Sequence, residues 1–314
     1  MDRRTFTGTL AAVTAGLAAN PQLGEVEPGT LPARRLGATD MLVPILSLGG
    51  FHLGQAGSAA QARELVAVAL DEGIRFFDTA ESYQSGTSER WLGAALKGQR
   101  GDVLLMSKTF AFPERTADSA RRHLDGTLSR LGTDHLDLWQ LHSVRSVADV
   151  DRAFGAGGAM EYILDAKARG LARYVGVTGH ADPEANLRAI AHWDRGMRFD
   201  AMQMPINPVD WHQRSFTQRV LPELATRNIG VIAMKTSADG ALVRGGLCTE
   251  SECLRYVWSL PVAVAVVGME RPELVRENAR TARAFQPLAA TELDALRARL
   301  APKAQLQLEW YKGG

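Results

Sequence analysis

From residue 45 onward the chain repeats one alternation eight times: a short apolar run, then a longer stretch whose apolar residues fall at helical spacing. The runs cover 45–48, 75–78, 103–107, 136–142, 174–178, 201–204, 230–234 and 262–267. The helical stretches cover 59–72, 88–97, 119–131, 158–169, 183–192, 218–228, 251–260 and 272–285. Leu65, Val68 and Ala69 mark one such face, and Gly73 follows where a helix end favours a residue that can turn left-handed. Continuously apolar strands belong to parallel sheets covered on both faces. Eight strand–helix units predict an α/β fold, a (β/α)8 barrel. A doubly wound open sheet is the rival, and it announces a nucleotide site with a glycine-rich turn after its first strand. Leu48-Gly49-Gly50-Phe51 follows the first run here, without G-x-G-x-x-G. Residues 35–43, with Gly37 and Asp40 at the turn, read as a short hairpin placed to plug the N-terminal end of the barrel. Residues 291–300 read as an extra C-terminal helix.

The first 33 residues follow a different pattern. Arg3 and Arg4 precede a mildly apolar stretch rich in Ala, Gly and Leu, the form of an export signal. Arg3-Arg4 with Phe6 resembles the twin-arginine type, which implies a periplasmic or exported protein. The alternative is an amphipathic N-terminal helix on a cytoplasmic protein. Pro21, Gly24, Pro28, Gly29 and Pro32 suit a linker. The expected organisation is therefore leader and linker over 1–33 and one barrel over 34–314. No later stretch is long and apolar enough to span a bilayer. Lys plus Arg total 36 against 35 for Asp plus Glu, a net charge of +1. That balance argues against nucleic acid or an anionic membrane as the main partner. Cys248 and Cys253 are the only cysteines, and a disulfide between them would close a trivial ring, so two unpaired thiols are expected.

Chemistry in such a barrel belongs where strands end and βα loops begin. The second run ends at Asp78, with Tyr83 five positions on; the third ends near Lys108; the fourth ends at His142. Singly, these side chains have ordinary explanations: a capping Asp, a half-buried Tyr, a solvated Lys, a hydrogen-bonded core His. Together they bring an acid, a phenol, an amine and an imidazole to one rim. Asp78 and Lys108, on adjacent strands, are close enough to pair, and a buried pair at a cavity mouth points to a purpose.

Phe77-Asp78-Thr79-Ala80-Glu81-Ser82-Tyr83, Ser107-Lys108-Thr109 and Leu141-His142 resemble the Asp, Tyr, Lys and His tetrad of the aldo-keto reductases, with spacings of 30 from Asp78 to Lys108 and 34 from Lys108 to His142. The resemblance runs from about Arg34 to Asn278. It implies NADP as cofactor, with NAD as the alternative, and a small carbonyl or alcohol substrate. Thr178 and Gln203 match positions that bind the nicotinamide carboxamide, although Gly179 stands where an amide side chain is usual. Met234 takes the place of a Tyr that stacks on the nicotinamide ring, with Lys235 beside it. Gly268, Met269, Arg271, Arg276 and Asn278 match the loop for the adenosine phosphate. There Gly268 replaces a Lys often used for the 2′-phosphate, leaving Arg271 or Arg276 as its substitute.

The resemblance implies hydride transfer between NAD(P)H and a carbonyl, with Tyr83 as general acid, its pKa lowered by Lys108, and His142 orienting the carbonyl oxygen. Residues 84–87, 110–115, Trp211, His212, Trp310 and Tyr311 are candidates to line the substrate pocket. Two other functions compete. One is a non-catalytic NADP-binding regulatory subunit. The other is a Schiff-base aldolase using Lys108, which Asp78 disfavours by keeping the amine protonated.

Overall fold

A computed structural model describes residues 30–111 and 114–313. Residues 1–29, which carry the leader reading, lie outside them. The described chain opens with an antiparallel hairpin, β1 (Ala33–Arg35) and β2 (Leu42–Pro44). Eight parallel strands follow: β3 (Leu46–Gly49), β4 (Phe76–Asp78), β5 (Leu104–Thr109), β6 (Leu136–Val144), β7 (Ala172–Gly179), β8 (Ala201–Pro205), β9 (Gly230–Met234) and β10 (Val264–Val267). They close into a barrel when β10 pairs with β3. This is the (β/α)8 barrel the alternation predicts, and each predicted run overlaps one strand.

The pleat sorts residues into two layers because successive side chains point to opposite faces. Phe77, Leu105, Trp139, Val175, Met202, Val231 and Ala265 pack outward beneath the helices. Phe76, Met106, Leu138, Ala201, Ile232, Val264 and Val266 pack inward, and Leu36, Met41 and Val43 of the hairpin join them. The hairpin is thus the plug the sequence suggests. Arg34 secures it by donating to the carbonyls of Val262 at 2.6 Å and Trp258 at 2.7 Å. Gly37 adopts φ +56, and a Cβ there would stand 2.3 Å from the backbone nitrogen of Gly230. Glycine is required by both the conformation and the close approach.

Helices Ala59–Asp71, Ala117–Leu131, Pro183–Asp194 and Pro272–Arg283 lie where the periodicity predicts, and Ala290–Leu300 is the extra C-terminal helix. The stretch 218–228 differs. It forms two short helices, Phe216–Arg219 and Leu221–Thr226, because Pro222 offers no backbone N–H to continue the first. Helix Val147–Phe154 was not anticipated; Ser146 caps it by accepting from Asp149 N at 3.2 Å. Cys248 and Cys253 are buried free thiols. Among the described residues no helix is long and apolar enough to cross a membrane.

Candidate active site

Two residues above the apolar inner layer, the same strands turn polar. Phe76 is followed inward by Asp78, Met106 by Lys108, Leu138 by Gln140 and His142, and Ala201 by Gln203. Lys108, 1% exposed, is the hub of this layer. Its Nζ forms an ion pair with Asp78, donates to the Thr79 carbonyl at 2.8 Å and reaches the Tyr83 hydroxyl at 3.3 Å. Tyr83 arrives on a short turn, Tyr83–Gly86, in which Gln84 and Ser85 take left-handed backbone angles of +46° and +54°. That tight turn folds the phenol back over β5, with Lys108 Nζ 4.9 Å from its ring centre. His142 closes the set, its ring edge-on to Tyr83 at 5.8 Å between centroids. Phe51 stands edge-on to Tyr83 at 5.4 Å and Phe110 to His142 at 5.7 Å, so aromatic rings wall both sides. The four predicted tetrad residues are therefore brought together.

Burial governs the charges here. It raises the Tyr83 pKa above the ordinary phenol value, outweighing the opposing pull of Lys108. The expected lowering by Lys108 is real as a contribution but does not win. Burial likewise raises the Asp78 carboxyl pKa, with Lys108 pulling back. For Lys108 burial acts downward, yet Asp78 and Tyr83 outweigh it and the ammonium is retained. Burial, then the cations Lys108 and Arg115, hold His142 well below the usual imidazole range, so it is neutral. Its Nδ1 lies 3.4 Å from Ser82 Oγ.

The turn that aims His142 is held from beneath. Ser143 has φ +56, and Arg115, wholly buried, donates to the carbonyls of His142 at 2.8 Å and Ser143 at 2.9 Å. The same guanidinium makes a two-point pair with Asp149, at 2.8 Å for each bond. Arg115 was expected to line the pocket; it is instead a clamp below the rim. Trp211 and His212 also depart from expectation. Arg297 lies 3.6 Å over the Trp211 ring and its carbonyl is 3.0 Å from His212 Nε2, so both pack on the C-terminal helix. Trp310 and Tyr311 do reach the rim, beside Lys235 and His180.

At the ends of β7 and β8, Thr178 Oγ1 accepts from Ser143 N at 2.8 Å and Gln203 Oε1 accepts from Gln140 Nε2 at 3.0 Å. The space a side chain at 179 would fill is taken: a Cβ on Gly179 would lie 2.2 Å from Asn186 Oδ1. The space at Gly268 is taken too, since a Cβ there would lie 2.1 Å from His52 Nδ1. Met234 ends β9 and Lys235 opens the loop after it, both half-buried; Met269 and Asn278 are buried, and Arg271 and Arg276 are exposed at the start of helix Pro272–Arg283. Sequence reasoning missed Asp149 and His52 because each acts on a residue distant in the chain, and Asn186 because no local motif marks a helix residue that turns back on the strand before it.

The model of the aldo/keto reductase family matches residues 45–250. The chain is similar to the 6-dehydroglucose reductase of Novosphingobium aromaticivorans, 25% identical over 274 residues that cover 78% of this chain and 88% of that protein. In fold it is similar to the aldo-keto reductase AKR11C1 of Bacillus halodurans in its holo form, with a TM-score of 0.72, 24% identity, and coverage of 86% of this chain and 96% of that one. It is also similar in fold to an aldo-keto reductase of Klebsiella pneumoniae solved in complex with NADPH, with a TM-score of 0.69, 23% identity, and coverage of 88% and 96%.

Proposed function

The chain belongs to the aldo/keto reductase family, and from that premise we propose that it interconverts an aldehyde, ketone or sugar carbonyl and its alcohol by hydride transfer with NADP(H), Tyr83 serving as acid and base. It is an oxidoreductase of the aldo-keto reductase type. The observation that carries the finer reading is the single ammonium of Lys108 touching both Asp78 and the Tyr83 hydroxyl, with the neutral His142 beside them.

The donor set suits a nicotinamide dinucleotide. Thr178 keeps its O–H to donate, and Gln203 keeps its amide N–H groups, because each oxygen already accepts a bond. Gln140 Oε1, buried beside them, has no hydrogen-bond partner among the described residues and offers an acceptor. Arg271 and Arg276 at the start of a 12-residue helix suit a phosphate, where the helix dipole favours an anion. Bound there, NADPH supplies the hydride, and NADP accepts it in the reverse direction.

The remaining steps belong to the chain. His142 donates to the carbonyl oxygen as a neutral imidazole. Tyr83, held protonated by burial, gives its proton to that oxygen as negative charge grows on it, and the ammonium of Lys108 stabilises the phenolate left behind. A Schiff base on Lys108 is disfavoured, since Asp78 keeps the amine protonated. Tyr83→Phe is expected to bind NADPH normally, seen by its fluorescence, and to lose about 10²–10⁴-fold in carbonyl turnover. Near-normal turnover would remove Tyr83 from this role. The similarity of the chain to a sugar-carbonyl reductase makes a panel of keto sugars and small aldehydes the first screen. We further propose that residues 1–33 export the folded, cofactor-loaded barrel; fractionation that finds the protein only in the cytoplasm overturns this.

A further inference from the structure

The turn Leu306–Lys312 crosses the rim near the end of the chain. Its anchor is ionic and enclosed. Lys312 Nζ donates to Asp210 Oδ1 at 2.6 Å and Glu309 Oε2 at 2.7 Å, and none of the three side chains is more than 3% exposed. Asn207, just beyond β8, donates to Glu309 Oε1 at 3.1 Å and to the Tyr311 hydroxyl at 3.0 Å.

This anchor sets Trp310 and Tyr311 on the loop after β9. There Lys235 Nζ pairs with Asp239 Oδ1 at 2.6 Å, and Trp310 Nε1 donates to Asp239 Oδ2 at 3.0 Å. The ammonium lies 5.5 Å from the Trp310 ring centre and 5.8 Å from that of Tyr311. Trp310 is 62% exposed, so its indole is held at the surface by Asp239, with Lys235 and Tyr311 beside it, rather than by burial. Lys235, Ala238 and Asp239 all have positive φ, at +53°, +52° and +58°, a conformation unusual for residues other than glycine. The loop is thus built around an internal anion resting on Lys235, on the side of the mouth where the nucleotide is proposed to lie.

We propose that Asp239 is a resident substitute for a cofactor phosphate: when NADP(H) binds, Lys235 passes from Asp239 to the diphosphate, and Trp310 is released with the displaced carboxylate. The inference rests on the NADP reading above. A diphosphate carries more negative charge than one carboxylate and so outcompetes Asp239 for the ammonium of Lys235. Asp239 is 31% exposed and has solvent to move into. The C-terminal segment therefore reports cofactor occupancy, and Asp239 sets the rate at which cofactor is exchanged.

The test is a titration of the full chain with NADPH and NADP, following nicotinamide fluorescence for the first and tryptophan emission for the second. Asp239→Asn keeps the shape and tolerates the left-handed angle, so it removes only the charge. It is expected to tighten NADPH binding about two- to fivefold, the worth of a partly exposed ion pair. Inorganic pyrophosphate is expected to compete with NADPH and to change tryptophan emission as NADP does. Trp310→Phe is expected to abolish that emission change. Unchanged or weaker NADPH binding by Asp239→Asn, or an emission change that survives in Trp310→Phe, overturns this inference alone. A wild-type chain that binds neither NADPH nor NADP overturns the cofactor reading together with it.

Discussion

The lower and upper parts of the barrel interior come from the same strands, two residues apart, and differ in nearly every physical respect. Phe76, Met106 and Leu138 fill the lower part with apolar surface sealed by the hairpin. Asp78, Lys108 and Gln140, their successors on the inward face, bring a buried ion pair and an amide oxygen without a hydrogen-bond partner among the described residues. The lower layer stabilises by excluding water. The upper layer gives up part of that stability, because ions are costly to desolvate even when paired. The contrast separates residues that hold the barrel closed from residues that act on a ligand.

Breaking the upper layer should have the largest effect. Lys108→Met leaves Asp78 buried without its cation, with an expected loss of about 3–5 kcal/mol of stability. The variant should also lose nearly all carbonyl reduction. Urea unfolding and steady-state rates measure the two together, and a stable, active Lys108→Met would erase the distinction between the layers. Leu138→Ala, in the lower layer, should cost about 2–5 kcal/mol by leaving a cavity. Its turnover per folded molecule should match wild type, and a fall in kcat would show that the two layers are coupled.

Acidity sharpens the same contrast. Burial, then Lys235 and Arg145, lowers the His180 pKa from 6.5 to about 4. The unfolded chain takes up a proton first as pH falls, so stability is lost between about pH 6.5 and about pH 4, by about 3 kcal/mol from this group. His142 acts with the same sign. His180→Gln should flatten the fall of the urea midpoint across that interval, whereas Leu138→Ala should shift the midpoint by a similar amount at each pH. An unaltered slope in His180→Gln would show that this imidazole carries no such penalty.

Much of the upper layer was legible because it obeys a local rule. An apolar run that ends in Asp78, Lys108 or His142 announces a polar side chain at the end where loops gather. The hairpin was legible for a similar reason, Gly37 and Asp40 marking its turn. The substrate wall was less so. Trp211 and His212 look like pocket residues in one dimension but pack on Arg297, nearly ninety positions later. Arg115 looks like a loop cation, yet it is buried against Asp149 and the carbonyls that shape His142.

The one-dimensional pattern determined the number and order of strands and the plug, since each follows from hydrophobic period and turn chemistry within about a dozen residues; strand order in a barrel then carries Asp78, Tyr83, Lys108 and His142 to one rim. Only the folded chain decided the balance of forces among them. Burial, not the nearby ammonium, governs the Tyr83 proton; Asn186 and His52 occupy the space beside Gly179 and Gly268; and Asp239 rests on Lys235 under Trp310. Desolvation and close packing depend on everything within a few ångströms, and neighbours such as Trp310 on Asp239 or His52 beside Gly268 come from segments far apart in the chain.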